Sequence, residues 1–348
     1  MVPVVDLSRR GQRFASTFAL AAERIARSGS FLLGPELAGF ESEFARWLGA
    51  PHCVGVSSGA GALQLALVAA GVGAGDEVLV PAFTAVPTAS AVSAIGAAPR
   101  AIDVDPRTAC ITTDSVRAAR TERSTAVIAV HLYGYPCELP DTDLVVIEDA
   151  AQAHGALTNP ARSAATVYSF YPTKNLGGIG DGGAVVTADP DIAERVRTLR
   201  VHGMTELYVH EVVSQNFRMS EVEAAWLRLA LPELDEDISR RRAIVAAYRQ
   251  AAPGLQWQAD HPRHAYHLAV FRSPDRLSTR AALKARGVAT AIHYPLAITR
   301  QPAYRDLEHA PCDAAEAWAR ECISVPCFPE MTDAEIDQVC HALSAVCG

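Results

Sequence analysis

Residues Val167 to Thr187 read V-Y-S-F-Y-P-T-K-N-L-G-G-I-G-D-G-G-A-V-V-T, and the reading of the whole chain turns on them. A short β-prone run, Thr166 to Tyr171, passes through Pro172 into a loop carrying Gly177, Gly178, Gly180, Gly182 and Gly183. A second strand, Ala184 to Thr187, follows. Glycine at this density lets the backbone take positive φ and lets another group approach closely. Lys174 sits in the middle of this stretch. Of the 31 Lys and Arg residues in the chain, only Lys174 and Lys284 are lysines. Arginine stays protonated at any useful pH, whereas a desolvated lysine can lose its proton, and only a free amine condenses with an aldehyde. The position is suited to amine chemistry.

Upstream, L-V-V-I-E-D-A-A-Q-A-H-G from Leu144 to Gly155 is an apolar strand that delivers two carboxylates, Glu148 and Asp149, and then small residues. A carboxylate at the exit of a buried strand needs a cationic partner. A protonated pyridine ring is one that fits.

These two stretches together resemble the pyridoxal-phosphate sugar aminotransferases of the DegT/DnrJ/StrS type, which share the aspartate-aminotransferase fold (fold-type I). The resemblance also takes in Pro3 to Leu7, Phe31 to Glu36, Ser57-Ser58-Gly59, Asn216 to Glu221, His293-Tyr294-Pro295 and Ser324-Val325-Pro326, in family order along nearly the whole chain. It implies an α/β fold with a mostly parallel central sheet flanked by helices, followed by a smaller C-terminal α/β domain. The boundary is expected near Leu231 to Glu236, giving a large domain over 1–234 and a small one over 235–348.

Composition agrees with a globular enzyme. The chain has 348 residues, 49% of them hydrophobic and 20% charged, enough for a core that needs no staples. A net charge of −8 and the lack of any basic run argue against a nucleic-acid surface, so a phosphate-bearing ligand must be held by local donors. The eight cysteines form no C-x-x-C pair and no zinc spacing, and read as small core residues of a reducing compartment. No metal is expected. The first 27 residues lack a signal-peptide pattern and no apolar run reaches membrane length, which predicts a cytoplasmic protein without a membrane partner.

Along the chain, helical spacing predicts helices over Ser16 to Arg27, Glu36 to Leu48, Ala62 to Ala70, Thr84 to Ile95, Asp191 to Arg200, Ser220 to Leu231, Ile238 to Ala251, Thr279 to Arg286 and Asp333 to Val346. Strands are expected at Cys53 to Val56, Glu77 to Val80, Arg100 to Val104, Ala126 to Val130, Leu144 to Ile147, Tyr266 to Phe271 and Ala289 to Tyr294. Strand, small-residue turn and helix start at Ser57 to Gly61 form a geometry that binds phosphate through free backbone N–H groups.

Residue by residue, the resemblance implies that Lys174 forms the Schiff base with pyridoxal 5'-phosphate and later moves the proton. Asp149 holds the pyridine nitrogen protonated, and Gln152 bonds the ring's phenolic oxygen. Ser169 and the amides of Ala60 and Gly61 hold the phosphate, and Asn216 reaches the phosphate of the neighbouring subunit, so that a homodimer shares its active sites. His293 and Tyr294 belong to the substrate pocket. His154 and His202 are open between structural and substrate roles. The chain departs from the family in four places. Ala60 and Gly61 replace a threonine and an aspartate, and Ala85 replaces the aromatic that covers the ring, with Phe83 as a candidate substitute. The Ala156 to Ala165 segment is short, and the histidine usually found after His293-Tyr294-Pro295 is missing. The implied activity is transfer of an amino group from glutamate or glutamine to a nucleotide-linked keto-deoxyhexose. The alternatives are a keto-cyclitol acceptor and a non-catalytic cofactor-binding regulator; no appended helix-turn-helix supports the second.

Overall fold

Asp6 starts the first helix by accepting the Ser8 amide at 3.0 Å, so α1 (Leu7–Ser28) begins well before the expected Ser16. It ends at Gly29, whose φ of 69° no other residue adopts as cheaply. The structure, a computed structural model, describes residues 1–157 and 162–347. Part of the short Ala156 to Ala165 segment therefore lies outside the described residues. Helix α2 (Pro35–Leu48) is capped differently: the Glu221 carboxylate accepts the amides of Gly34, Glu36 and Leu37. Its Phe40 and Phe44 are fully buried and stacked at 5.5 Å.

Strands and helices then alternate, as the βαβ pattern predicts. In order come β1 (His52–Val56), α3 (Gly59–Ala69), β2 (Glu77–Pro81), α4 (Pro87–Ala94), β3 (Ala98–Ile102), α5 (Thr113–Ala119) and β4 (Ser124–Val130). Strands β5 (Val145–Asp149), β6 (Ala165–Ser169) and β7 (Gly183–Thr187) follow. The seven strands form one sheet in the order β1-β7-β6-β5-β4-β2-β3. From β6 to β3 all neighbours are parallel, whereas β7 runs antiparallel to both β6 and β1. Ser169 and Gly183 are directly paired across β6 and β7. The glycine loop thus leaves and re-enters the sheet at one point, beside the end of β5.

Beyond the sheet, α6 (Pro190–Arg200) leads into a hairpin, β8 (Met204–Glu206) and β9 (Val209–His210). Helix α7 (Glu221–Ala230) is N-capped by Ser220, whose hydroxyl accepts the Glu223 amide at 3.1 Å. Helix α8 (Leu234–Ala251) leads to a second, three-stranded antiparallel sheet of β10 (Gln256–Trp257), β11 (Ala269–Arg272) and β12 (Cys322–Val325), joined through α9 (Arg276–Ala285) and α10 (Asp313–Glu321) and closed by α11 (Asp333–Cys347). The expected strand over Ala289 to Tyr294 does not form. Ala289 bonds to Val2 and Ala291 to Ser324, and a segment that changes partner every second residue builds no ladder. Val2 also packs into the C-terminal core, so the chain's first residues cover its last helices.

Among the described residues no helix is long and apolar enough to cross a membrane. All eight cysteines are free.

Candidate active site

Ligand sites of open α/β sheets lie beyond the carboxyl ends of parallel strands, and here that edge holds Asp149 at the end of β5 and Ser169 at the end of β6. A cavity of about 260 Å³ opens there. Asp149, Gln152, Ser169, Lys174 and Ala60 all line it, together with Ser58, Gly59, Thr84, Ala85, Thr88, Tyr171 and Asp181. Five of the residues that the resemblance placed at the site thus line one cavity. A larger cavity of about 470 Å³, lined by Asp105, Glu148, Arg162 and Arg263, holds none of them.

The loop that presents Lys174 is held by three contacts from two helices. Arg10 of α1 donates to the Lys174 carbonyl at 3.1 Å, Trp226 of α7 donates to the Gly177 carbonyl at 2.9 Å, and the Gly180 amide donates to Glu223 of α7 at 2.8 Å. None of the five loop glycines has a left-handed backbone, and close approach explains Gly177, Gly178 and Gly183. A Cβ on Gly177 would stand 2.2 Å from the Pro172 carbonyl oxygen, and one on Gly178 would stand 1.5 Å from Glu223 Oε1. Burial pushes the Glu223 carboxyl up to about 7.

Lys174 is enclosed by protein apart from its opening onto the cavity. Burial pushes its ammonium down to about 8, against the pull of the Asp149 charge. About a tenth is therefore free amine at pH 7, far more than for an ordinary lysine. Burial likewise pushes the Asp149 carboxyl up, opposed by the Ala151 amide, by Lys174 and by the Thr88 hydroxyl. Asp149 Oδ1 accepts the Ala151 N–H at 3.1 Å and Oδ2 accepts the Thr88 hydroxyl at 3.2 Å.

Gln152 is locked by its carbonyl, which accepts the Tyr133 amide at 2.6 Å. This aims its Nε2 at the Tyr294 hydroxyl, 3.0 Å away. His293 sits one residue earlier, with Nδ1 2.8 Å from Ser324 Oγ and its carbonyl accepting the Tyr133 hydroxyl. His293 and Tyr294 therefore stand behind Gln152 and do not form part of the cavity lining.

At the turn before α3, the Gly61 amide donates to Ser58 Oγ at 3.0 Å, so Gly61 is engaged in the helix cap and only Ala60 faces the cavity. Gly59 lies against Ser169, where a Cβ would come within 2.7 Å of the serine Cβ. Asn216 is exposed and does not reach the cavity of its own chain; its Oδ1 accepts from Arg218 N and Nε at 3.2 and 3.0 Å. Phe83 does not take the place left by Ala85: it is fully buried and stacked on Trp318 at 6.0 Å. His154 is fully buried among Phe44, Tyr168 and Phe170, and burial pushes it down to about 3. His202 lies near the β8–β9 hairpin, its carbonyl 3.0 Å from His210 Nδ1 and away from the cavity. Sequence reasoning overlooked Thr84, Thr88, Tyr171 and Asp181 as lining residues. Their only signal was proximity in sequence to a strand end or to the glycine loop.

A model of the DegT/DnrJ/EryC1/StrS aminotransferase family matches residues 13–344. The chain is 42% identical to the erythromycin biosynthesis sensory transduction protein EryC1 of Saccharopolyspora erythraea, with 99% of both chains covered. It is also 42% identical to the dTDP-3-amino-3,4,6-trideoxy-alpha-D-glucose transaminase of Streptomyces venezuelae, over 99% of this chain and 95% of that one. The crystal structure of S. venezuelae DesV in complex with a ketimine intermediate superposes with a TM-score of 0.92 at 39% identity, covering 99% of this chain and 98% of that one.

Proposed function

We infer that this chain, which belongs to the DegT/DnrJ/EryC1/StrS aminotransferase family, is a pyridoxal 5'-phosphate-dependent enzyme that moves an amino group from glutamate or glutamine to a nucleotide-linked keto-sugar. The observation that carries the reading is one cavity lined by both Lys174, with its lowered ammonium pKa, and the buried carboxylate of Asp149.

The residues present fit pyridoxal phosphate. The buried Asp149 carboxylate has no arginine beside it in the cavity and is matched by a protonated ring nitrogen. Ala60 and Ser169 both line the cavity, where Gly59 lets Ser169 approach the turn, and supply amide and hydroxyl donors for a phosphate. Gln152 lines the cavity, and its Nε2, which gives one proton to the Tyr294 hydroxyl, has a second for an oxygen acceptor on the ring. When bound, the cofactor supplies an aldehyde that exchanges the amino group and a ring that absorbs the electron pair released at the substrate carbon. The protein does the rest. Lys174 Nζ, free to lose its proton near neutrality, takes and returns the proton at that carbon. Asp149 keeps a proton on the ring nitrogen. Ala85 lines the cavity with a small side chain, which favours a bulky acceptor there.

The test is a half-reaction. The amino form of the purified enzyme is mixed with a panel of nucleotide-linked keto-sugars and keto-cyclitols, and the cofactor spectrum is followed. Reversion to the aldehyde form with a nucleotide-linked keto-sugar supports the reading. Reversion only with cyclitols replaces the acceptor class, and reversion with no ketone removes the activity.

The active sites are shared between two subunits in this reading. Asn216 is exposed and turned away from its own cavity, whose lining offers Lys174 as its only cation among the described residues, against Asp149 and Asp181. Phe31, Leu32, Leu33 and Ile179 expose apolar surface near the N-terminus of α7. Lys174→Ala and Asn216→Asp, each nearly inactive alone, are unfolded, mixed equally and refolded. About half the dimers are mixed and each mixed dimer holds one intact site, so roughly a quarter of all sites regain activity. Recovery of nothing, in a sample shown to contain heterodimers and cofactor, rules out the shared site.

A further inference from the structure

We propose that Thr88, backed by Thr84, is the positioning residue that keeps the Asp149 carboxylate ionised and aimed into the cavity. This rests on the assignment of Asp149 to the ring nitrogen. Thr88 lies in the first turn of α4 and is 1% exposed; Thr84, in the turn before that helix, is 2% exposed. The two hydroxyls are 3.2 Å apart, and Thr88 Oγ1 is 3.2 Å from Asp149 Oδ2. Neither helix nor strand formation requires this chain of hydroxyls, and both threonines line the cavity.

Proton counting sets its direction. An ionised carboxylate only accepts, so Thr88 must give its one proton to Asp149, and Thr84 must then donate to the Thr88 oxygen. With the Ala151 amide on Oδ1, each carboxylate oxygen has one fixed donor and keeps lone pairs toward the cavity. If Asp149 were protonated, it could donate to Thr88 and the chain would reverse. Donation from both threonines toward Asp149 is the order that goes with its charged form, the form a protonated ring nitrogen needs. The other titratable groups that face Asp149 are Lys174 from the glycine loop, His131 from the end of β4 and Tyr294 from the segment behind Gln152. His131 accepts the Cys137 amide on Nδ1, so of these groups Lys174 is the one whose charge opposes protonation of Asp149. Removing the Thr88 hydroxyl therefore leaves Asp149 with one donor fewer against burial, and its protonated form gains.

The experiment compares Thr88→Val, which keeps the shape and removes the hydroxyl, with Thr88→Ser, which keeps the hydroxyl. Thr88→Ala stands in if the valine variant fails to fold. Binding of pyridoxal phosphate to the apoprotein is read by quenching of tryptophan fluorescence, and kcat/KM is measured against pH. Thr88→Val is expected to weaken cofactor binding about tenfold and to move the acid limb of the profile up by about one pH unit, the scale of a lost hydrogen bond to a charged group. Thr88→Ser should stay within about threefold of the wild type. In the Asp149→Asn background, Thr88→Val should cost nothing further, because it acts through the missing charge. Losses that multiply in the double variant, or a Thr88→Val profile that matches the wild type while Asp149→Asn is impaired, overturn the proposal and leave the Asp149 assignment standing. Wild-type behaviour of Asp149→Asn itself overturns both.

Discussion

Two carboxylates stand side by side on β5 and lead opposite lives. Glu148 points to one face of the sheet, where it borders the larger cavity that lacks Lys174 and protein donors hold both its oxygens: Ser163 and Thr166 hydroxyls reach Oε1 at 2.8 and 3.3 Å, and His131 Nε2 is 3.1 Å from Oε2. His131 in turn accepts the Cys137 amide on Nδ1 at 2.9 Å, which leaves the ring proton on Nε2 for Glu148. Asp149 points to the other face, with one donor on each oxygen and a cavity in front. Side chains that alternate along a strand put neighbours on opposite faces. A saturated carboxylate stabilises a fold, and a carboxylate left wanting a partner is available for chemistry.

Changes on the cavity face should have the largest effect on turnover and little on folding. Lys174→Arg keeps a positive charge opposite Asp149 but cannot present a free amine, so turnover should fall by several orders of magnitude with the melting temperature near that of the wild type. Borohydride reduction of the wild-type holoenzyme should leave the cofactor on the peptide containing Lys174. Label on the Lys284 peptide would remove Lys174 from its role.

The pair on β5 separates next. Asp149→Asn keeps the shape and removes the charge, and should lower kcat and kcat/KM together by about a hundredfold or more, the pattern of an interaction needed in the transition state. Glu148→Gln should do the reverse, costing about 1–3 kcal/mol of stability in denaturant titration with kcat within a few fold of the wild type. Equal kinetic losses from the two would dissolve the contrast.

Within the glycine loop the same division appears at smaller scale. Gly177→Ala drives a methyl into the Pro172 backbone, whereas a Cβ on Gly180 meets nothing nearer than Glu223 Oε2 at 3.5 Å. Gly177→Ala should weaken cofactor binding about tenfold or more, with Gly180→Ala close to wild type, as measured on the apoproteins.

The smallest effect is a pH dependence. Glu223 rises from its ordinary 4.5 to about 7 in the folded chain, because it is buried. A carboxyl whose folded pKa exceeds its unfolded value takes up a proton on folding, so its contribution to stability falls as pH rises from about 4.5 through about 7. Glu223→Gln removes that slope. It should match the wild type near pH 4.5 and be the more stable protein at pH 8, as read by thermal melting in parallel buffers.

Much of this was legible in the residues themselves. The rarity of lysine singled out Lys174, and the apolar run ending in Glu148-Asp149 marked a buried strand exit. Alternation of strand and helix patterns foretold the parallel sheet, and the helix from Ser220 to Leu231 was read in place to within a residue at each end. The misses have physical causes. Asp6 extended α1 because a cap at one residue recruits the next turn. Phe83 pointed away from the ring site because Trp318, distant in sequence, offered it a stacking partner. Gly61 spent its amide on Ser58, a competition between helix capping and ligand binding that no spacing rule resolves.

By itself the sequence determined the chemistry at hand: one deprotonatable amine, one buried carboxylate, a glycine loop between paired strand ends, and a fold class written in hydrophobic period. Those are properties of residue type and local pattern, which travel with the chain. Only the tertiary structure decided which of two adjacent carboxylates meets the cavity, that Thr88 stands behind it, and which atom each glycine makes room for. Each of these depends on elements far apart in sequence meeting in space, and a period of two says that neighbours face opposite ways without saying which way the cavity lies.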